Sequence, residues 1–288
     1  MTPCPSMRGK RCLITGPTSG IGQATAVALA AAGAELTLLC RSPERGQATL
    51  ERIRETTPEA VVDLVLADLS AQAEVRRAAA QILADPRPLD VLLNNAGVVQ
   101  LSYTTTVDAI ETTFAVNHLA YFLLTRLLLD RIRDTAGARI VNVASEGHKF
   151  SSMHFDDLGH EKNFKWMRVY GQSKLANILF TRELARRLEG SGVTVNSLHP
   201  GGVSTRLGAN NGTRLHGFVM ALAKPFMKTP EQGARTSLYL ATSPEVAAVS
   251  GEYFVNCKRK PGSRESADRE IARRLWEVSE KMTSEAEA

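Results

Sequence analysis

The stretch Thr15-Gly16-Pro17-Thr18-Ser19-Gly20-Ile21-Gly22 is the strongest indication of the fold. It follows a short apolar run, Arg11–Thr15, and precedes an alanine-rich helical pattern over residues 20–32. Glycines between a buried strand and a helix permit a tight turn and a close approach of the backbone to a pyrophosphate. The start of the helix adds unpaired N–H groups and a partial positive charge. The stretch therefore predicts a phosphate-binding loop, and a plain structural turn is the alternative.

The rest of the chain repeats this alternation of strand and helix. Apolar runs of strand length that lie between longer helical patterns are typical of a parallel sheet covered on both faces. We predict one doubly wound, Rossmann-type α/β domain over residues 1–288, with about seven strands and helices on both faces. Its core spans about 9–256, and a helix over about 264–283 follows. The predicted strands are 11–15, 35–40, 61–66, 89–93, 138–144, 193–199 and 252–255, and the predicted helices are 20–32, 43–56, 71–84, 106–134, 168–190 and 231–241.

The composition excludes several classes of protein. The 288 residues are 43% hydrophobic and 23% charged, with a net charge of +5, which are ordinary globular values. Lys and Arg are scattered among acidic residues, whereas a nucleic-acid-binding face needs them clustered, so we expect no nucleic-acid partner. One basic stretch, 258–264, is predicted to be a solvated loop. Its alternative is attraction to an anionic membrane surface, so peripheral membrane contact stays open.

The cysteines and the N-terminal residues indicate the cellular compartment of the protein. Cys4, Cys12, Cys40 and Cys257 show no metal-ligand spacing, and Cys12 and Cys40 lie in apolar runs typical of reduced core thiols. Residues 1–9 lack the apolar core of a signal peptide. The longest apolar stretches are too short or too interrupted to span a bilayer. We expect a cytoplasmic protein with no metal site and no transmembrane segment.

The end of the second predicted strand indicates which dinucleotide binds. An acidic residue at this point would bind the ribose 2′-hydroxyl of NAD. Here Cys40 is followed by Arg41, about 18 residues past Gly22. A guanidinium can pair with a 2′-phosphate and stack on adenine, so the sequence predicts NADP(H). A surface arginine is the alternative, and Arg45 is a weaker second candidate.

A tyrosine and a lysine stand four residues apart in Tyr170-Gly171-Gln172-Ser173-Lys174. On a helix such side chains share one face, with Cβ atoms roughly 5–6 Å apart. A neighbouring cation favours the phenolate and lowers the tyrosine pKa from its usual value near ~10. The pair predicts a group that gives or takes a proton. Two unrelated side chains on a solvated helix are the alternative that the pair alone leaves open.

These motifs, in this order, resemble the short-chain dehydrogenase/reductase family over about residues 9–256. The glycines have the family's T-G-x3-G-x-G spacing, Asn117 lies where the family has a helix-distorting asparagine, and Ser145 lies where it has a catalytic serine. The resemblance implies that Tyr170 is the general acid in reduction and the base in oxidation. It also implies that Ser145 donates a hydrogen bond to the substrate oxygen, that Lys174 holds the nicotinamide ribose, and that Asn117 places a water linked to Lys174.

The same resemblance implies a set of cofactor-binding residues. Asp68 and Leu69 would contact adenine, the segment Asn94-Asn95-Ala96-Gly97 would brace the sheet, and the Val203 backbone and Thr205 hydroxyl would hold the carboxamide. The full implied set is Gly16, Thr18, Ser19, Gly20, Ile21, Gly22, Arg41, Asp68, Leu69, Asn95, Ala96, Gly97, Tyr170, Lys174, Pro200, Gly201, Val203 and Thr205.

Other features are similar to the retinol-dehydrogenase-like subgroup, whose members act on lipophilic alcohols and aldehydes. Ser145 and Tyr170 lie 25 residues apart, more than in many members, and the segments 173–177, 199–201 and 250–255 match the subgroup. We expect an NADP(H)-dependent oxidoreductase that interconverts a carbonyl and an alcohol on a retinoid, steroid, polyketide-like or aromatic substrate. An NADPH-binding redox sensor or scaffold with little turnover is the alternative. Family members commonly pair through the active-site helix and its neighbour, so a homodimer or homotetramer stays open.

Two segments with many apolar residues follow the carboxyl ends of predicted strands. Residues 146–167 and 206–230 are predicted to be lids or pocket walls, because open α/β sheets bind ligands at that edge. Packing against the body of the domain or against a partner subunit is the alternative. His148 and His154 lie in the first segment, where contact with substrate is conceivable and a surface role is favoured.

Overall fold

A computed structural model of the protein describes residues 4–202 and 228–284. Its strands are β1 (Arg11–Thr15), β2 (Glu35–Cys40), β3 (Val62–Leu66), β4 (Val91–Asn94), β5 (Arg139–Val143), β6 (Thr194–His199), β7 (Tyr253–Val255) and β8 (Lys258–Lys260). Among the described residues they form one sheet in the order β3-β2-β1-β4-β5-β6-β7-β8. The first seven strands run parallel, and β8 is antiparallel to β7.

Helices cover both faces of this sheet. In the described ranges they are α1 (Gly20–Ala31), α2 (Pro43–Thr56), α3 (Gln72–Leu83), α4 (Thr112–Arg133), α5 (Trp166–Arg187), α6 (Pro230–Thr242) and α7 (Arg269–Thr283). Alternate strand residues face opposite layers: Leu13 packs with α3, α4 and α5, whereas Cys12 and Ile14 pack with α1 and α6. The predicted doubly wound α/β sheet is therefore confirmed, with one strand more than expected.

The extra strand, β8, corrects the predicted loop 258–264 over its first three residues, whereas residues 261–264 are irregular as predicted. Lys258–Lys260 pairs with β7 through a turn in which Asn256 and Cys257 have positive φ values of 51° and 60°. All three β8 side chains are exposed, which suits lysine and arginine because an edge strand leaves its side chains in solvent. Charge alone could not separate an edge strand from a solvated loop.

Helix α4 begins at Thr112 rather than at the predicted residue 106. The buried carboxylate of Glu111 accepts hydrogen bonds from the backbone N–H groups of Thr113 (2.8 Å) and Phe114 (2.7 Å) and so caps the helix. By length and composition α4 could cross a membrane, contrary to the expectation that no apolar stretch is long enough. Inside the domain 78% of its apolar window is buried, as expected of a core helix.

The insert 146–167 packs against the body of the domain. This packing was the alternative to the predicted role as a lid or pocket wall. The insert contains 3₁₀ turns at Glu146–Phe150 and Glu161–Asn163. Between these turns Met153 and Phe155 pack on a cluster formed by α4, α5 and α7. Met153 and Phe155 thus contribute to the core, whereas Phe150 and Trp166 of the same insert are exposed.

Helix α7 closes the domain against α4 and α5. It begins five residues after the predicted start at 264, because Asp268 caps it by accepting hydrogen bonds from Glu270 N and Ile271 N. Trp276 of α7 packs against Phe122, at 5.0 Å between ring centroids, and against Phe180, at 6.0 Å. The C-terminal segment is therefore part of the hydrophobic core.

Candidate active site

The four predicted catalytic side chains meet at the carboxyl ends of β4 and β5. A Cβ on Gly97 would lie 3.4 Å from Asn117 Oδ1 and 3.5 Å from Lys174 Nζ, so these two groups flank one glycine. A Cβ on Gly147 would lie 3.5 Å from both Ser145 Oγ and Tyr170 Cε1. The fold therefore brings together residues that lie up to 57 positions apart in the chain.

Ser145 has an extended backbone just beyond β5. Its Oγ accepts a hydrogen bond from Gly147 N at 3.1 Å. Its side chain also hydrogen-bonds Tyr170, an interaction that favours the phenolate. The single O–H of Ser145 is the donor in that bond, and it can turn to a substrate oxygen placed beside the phenol.

Burial controls the charge of the Tyr170–Lys174 pair. Burial raises the pKa of Tyr170 above its ordinary value, and the hydrogen bond from Ser145 only partly opposes this effect. Burial also lowers the pKa of Lys174 to about 7. The prediction that Lys174 lowers the Tyr170 pKa is therefore wrong for this structure, because it considered the attraction of the cation and omitted the desolvation of both groups.

Lys174 is 3% exposed and lies between two aromatic rings. Its Nζ is 5.8 Å from the centroid of the Tyr170 ring and 5.7 Å from that of Tyr121. It donates a hydrogen bond to the main-chain carbonyl of Val143 at 3.1 Å. One of its three N–H donors is thus fixed to the end of β5.

Asn117 lies in a π-helical turn of α4, Ala115–Leu119, as its expected helix-distorting position implies. Its Oδ1 accepts from Val98 N at 2.8 Å, and its Nδ2 donates to Val98 O and to Ser173 Oγ, both at 3.0 Å. The side chain therefore ties the loop after β4 to the catalytic helix α5. The role of Asn117 in placing a water stays a prediction.

A buried network behind Lys174 was missed by the sequence reasoning. Asn177 Nδ2 donates to the main-chain carbonyls of Asn117 (2.9 Å) and Val143 (3.2 Å). Asn177 Oδ1 lies 3.4 Å from His118 Nδ1, and His118 Nε2 lies 2.9 Å from Ser279 Oγ on α7. Adjacency of His118 to Asn117 was the available signal, but its link to Ser279 joins residues 161 positions apart.

The glycine-rich loop is held by the segment after β4. Gly16 has a φ of 64°, and a Cβ there would lie 2.8 Å from Ala96 Cα. A Cβ on Gly22 would lie 2.3 Å from Gly16 O and 2.5 Å from Asn95 Nδ2. Asn95 Nδ2 donates to the carbonyls of Thr15 (2.9 Å) and Gly16 (3.1 Å). These contacts require glycine at both positions.

The loop also presents a helix start suited to an anion. Ser19 has an extended backbone directly before α1, and within the described residues its side chain makes no capping hydrogen bond. The first turn of α1 carries no acidic residue. Thr18, Gly20 and Ile21 are half-buried around this turn. Such a helix start is a ready binding site for phosphate oxygens, so the residues present fit a dinucleotide.

The next two predicted cofactor residues lie at the neighbouring strand ends. Arg41 follows β2, and its Nη1 lies 3.5 Å from Asp68 Oδ2 beyond β3. The Arg41 side chain is 63% exposed, so this ion pair contributes at most about 1 kcal/mol and can be exchanged for another anion. Leu69 is half-buried against the core, and Arg45 lies in the first turn of α2.

The loop after β6 is described only as far as residue 202. Pro200 is half-buried, and Gly201 has a φ of 98°, with Lys228 Nζ 2.7 Å from where its Cβ would lie. Val203 and Thr205 lie outside the described residues, as does 206–227 of the second predicted pocket wall. In the two described ranges no His, Cys, Asp and Glu side chains gather as metal ligands.

The two histidines of the insert lie in different surroundings. His154 is exposed, whereas His148 is 0% exposed, so the favoured surface role for His148 is wrong. His148 is buried because both ring nitrogens find backbone partners, at Ser145 O (2.6 Å) and Ser263 N (3.0 Å). The second partner is 115 residues away and left no signal in the local sequence.

Comparisons with known proteins agree with this geometry. Residues 10–215 match the family model described as short chain dehydrogenase. Human retinol dehydrogenase 14 is 44% identical over 297 aligned residues, which cover 96% of this chain and 87% of that protein. The resemblance to the retinol-dehydrogenase-like subgroup is thus confirmed.

Solved structures match the whole fold. The structure of an uncharacterised protein from Mycobacterium paratuberculosis superposes with a TM-score of 0.77 at 31% identity, covering 97% of this chain and 95% of that one. The Pseudomonas aeruginosa RhlG/NADP active-site complex superposes with a TM-score of 0.71 at 27% identity, covering 88% and 97%. The chain therefore belongs to the short-chain dehydrogenase/reductase family, in its retinol-dehydrogenase-like group.

Proposed function

We propose that the protein is an NADP(H)-dependent oxidoreductase that interconverts a carbonyl and an alcohol on a lipophilic substrate. The observation that carries this proposal is the grouping of Ser145, Tyr170 and Lys174 at the carboxyl ends of the strands, beside the glycine-rich loop. A bound nicotinamide supplies the hydride in reduction and accepts it in oxidation. The side chains of the protein must then move one proton and stabilise charge on one oxygen.

Tyr170 performs the proton transfer in this proposal. Its raised pKa keeps the phenol protonated at neutral pH, as a general acid for carbonyl reduction requires. Ser145 donates a hydrogen bond to the same oxygen, and loss of such a donor costs about 3–4 kcal/mol in comparable sites. Lys174 stabilises the phenolate that forms and holds the ribose hydroxyls with its remaining donors.

The preference for NADP(H) rests on Arg41. Its guanidinium is mostly exposed at the end of β2, and its ion pair with Asp68 is long at 3.5 Å. Exchange of this carboxylate for a 2′-phosphate offers the guanidinium a stronger, bidentate partner. A structural relative that is 27% identical is described as an NADP complex, which supports the same choice.

A lipophilic substrate is supported by exposed apolar side chains near the catalytic helix turn. Trp166 and Met167 lie four and three residues before Tyr170 on α5, so they share its face, and they are 40% and 65% exposed. Phe150, five residues after Ser145, is 84% exposed. We infer that these side chains face the substrate, because contiguous exposed apolar patches mark ligand-binding surfaces. The relative named retinol dehydrogenase 14 agrees with this class.

The test is turnover by the full chain with a panel of aldehydes and ketones of increasing apolar size. Nicotinamide absorbance is followed with NADPH and, separately, with NADH. The proposal predicts turnover with NADPH that improves as the substrate becomes more lipophilic. NADPH binding without turnover of any panel member would instead support the redox sensor or scaffold.

A further inference from the structure

The main chain of Ser145 is held by a buried histidine that the reaction itself does not use. His148 lies one 3₁₀ turn after Ser145, and its Nδ1 is 2.6 Å from the Ser145 carbonyl oxygen. On the other side of the ring, Ser263 N lies 3.0 Å from Nε2. The ring is 0% exposed and packs edge-on against Tyr253, with centroids 5.1 Å apart.

The partners of His148 define its tautomer. A backbone N–H can only donate, so Nε2 must accept the hydrogen bond from Ser263. The other nitrogen faces a carbonyl, which can only accept, so Nδ1 must carry the proton. The neutral Nδ1–H form alone satisfies both contacts. Burial lowers the pKa of His148, which favours the same neutral form.

The far side of this bridge is anchored. Ser263 belongs to the segment 261–266 between β8 and α7. Arg182 of α5 donates to Pro261 O at 2.9 Å and to Ser266 O at 2.5 Å. Gly262 has a φ of 79°, and a Cβ there would lie 2.5 Å from Ser266 Oγ. Segment 261–266 is therefore fixed to the catalytic helix on one side and to His148 on the other.

We propose that His148 is a positioning residue, which holds the Ser145 main chain against segment 261–266 and so sets the direction of the Ser145 hydroxyl. This inference rests on the proposed function of Ser145 as hydrogen-bond donor to the substrate oxygen. Ser145 needs such a support because the regular hydrogen bonding of β5 has ended before it. A displacement of about 1 Å at a reacting group can lower the rate about 10²-fold.

The first experiment compares four full-length proteins: wild type, His148→Phe, Ser145→Ala and the double variant. Phenylalanine keeps the ring that packs on Tyr253 and removes both hydrogen bonds. We expect His148→Phe to lower kcat by about tenfold or more, with KM and NADPH affinity nearly unchanged. Because His148 acts through the Ser145 hydroxyl, the double variant should be no slower than Ser145→Ala alone.

A second pair of variants tests the same claim if His148→Phe does not fold. The amide nitrogen of asparagine lies about where Nδ1 lies in histidine, and that of glutamine about where Nε2 lies. Each amide can keep only one end of the bridge, so His148→Asn and His148→Gln should both lower kcat, as His148→Phe does. The exposed His154 in the same insert provides the control, and His154→Gln should match wild type.

The outcomes separate this inference from the proposed function. Wild-type kcat in His148→Phe, wild-type kcat in the Asn or Gln variant, or a further tenfold loss in the double variant over Ser145→Ala would overturn the role of His148. Wild-type kcat in Ser145→Ala would overturn the proposed role of Ser145 itself, and the inference with it. A slow Ser145→Ala with a fully active His148→Phe would leave the proposed function standing and remove only the inference.

Discussion

At the scale of single residues, desolvation decides the chemistry of the site. Lys174 is 3% exposed, and burial brings its pKa down to about 7, while burial raises the pKa of Tyr170. The positive charge of Lys174 is thus marginal at neutral pH before any anionic partner approaches. The pair could be identified in the sequence from its spacing of four residues. The spacing alone does not show how deeply the two side chains are buried in the fold.

The Lys174 pKa leads to a prediction about pH. With NADPH as the varied substrate, kcat/KM reports the ionisations of the free enzyme. We expect it to be constant below about pH 7, where Lys174 is charged, and to fall by about tenfold per pH unit above that value. Lys174→Met should lower kcat/KM and remove this break. A wild-type profile that stays flat through the alkaline range would contradict the charge requirement.

Arg41 carries the prediction about cofactor choice. Arg41→Ala removes the guanidinium that would pair with the 2′-phosphate, so the preference for NADPH over NADH should narrow by about tenfold or more. The ratio of kcat/KM values for the two cofactors measures it. Arg45→Ala separates the two candidates, since Arg45 lies in the first turn of α2 and should leave the ratio unchanged. An unchanged ratio in Arg41→Ala would rule out its role.

At the scale of elements, local patterns predicted most of the fold, and distant contacts set what they missed. All seven predicted strands lie within two residues, at both ends, of the strands found, and β1 and β2 share both ends with their predictions. The start of α4 depends on the Glu111 cap, and β8 depends on pairing with β7. A helix cap and the pairing of an edge strand leave no periodic pattern of apolar residues, so neither could be predicted from the sequence.

Substitution of Gly22 in the glycine-rich loop should weaken the binding of NADPH. A Cβ on Gly22 would lie 2.3 Å from Gly16 O, so Gly22→Ala must displace the loop. We expect NADPH affinity to fall by more than about tenfold, which is a loss of about 1.4 kcal/mol. Gly190→Ala is the matched control: among the described residues no atom lies within 4 Å of its Cβ. It should cost about 1 kcal/mol of backbone strain and leave NADPH affinity unchanged.

At the scale of the whole molecule, the C-terminal segment supplies hydrogen-bond partners to residues that support the catalytic side chains. Ser279 of α7 reaches His118 beside Asn117, and Ser263 reaches His148 beside Ser145. These contacts join residues 161 and 115 positions apart. The sequence predicted the catalytic side chains because each lies in a local motif. It did not predict their supports, because a buried hydrogen bond between distant segments has no local pattern.

The buried His118 predicts acid sensitivity of the whole fold. Burial lowers the pKa of His118 to about 4 in the folded protein, whereas the ordinary value of about 6.5 applies in the unfolded chain. Between these two pH values the unfolded chain binds a proton on this histidine and the folded protein does not. Stability is therefore complete above about pH 6.5 and is lost as the pH falls towards 4. At pH 5 this histidine alone should cost roughly 2 kcal/mol of unfolding free energy. Urea unfolding at pH 7.5 and pH 5 measures the loss, and equal free energies would contradict it.

One substitution tests directly whether Tyr170 is the proton donor of a reductase. Tyr170→Phe removes the phenolic oxygen and keeps the ring, which lies 5.8 Å from Lys174 Nζ. NADPH-dependent reduction of a lipophilic aldehyde and NADPH binding are measured on the same preparation. Reduction should be abolished in Tyr170→Phe, while NADPH should bind with nearly wild-type affinity. Turnover that survives the substitution would contradict this role of Tyr170.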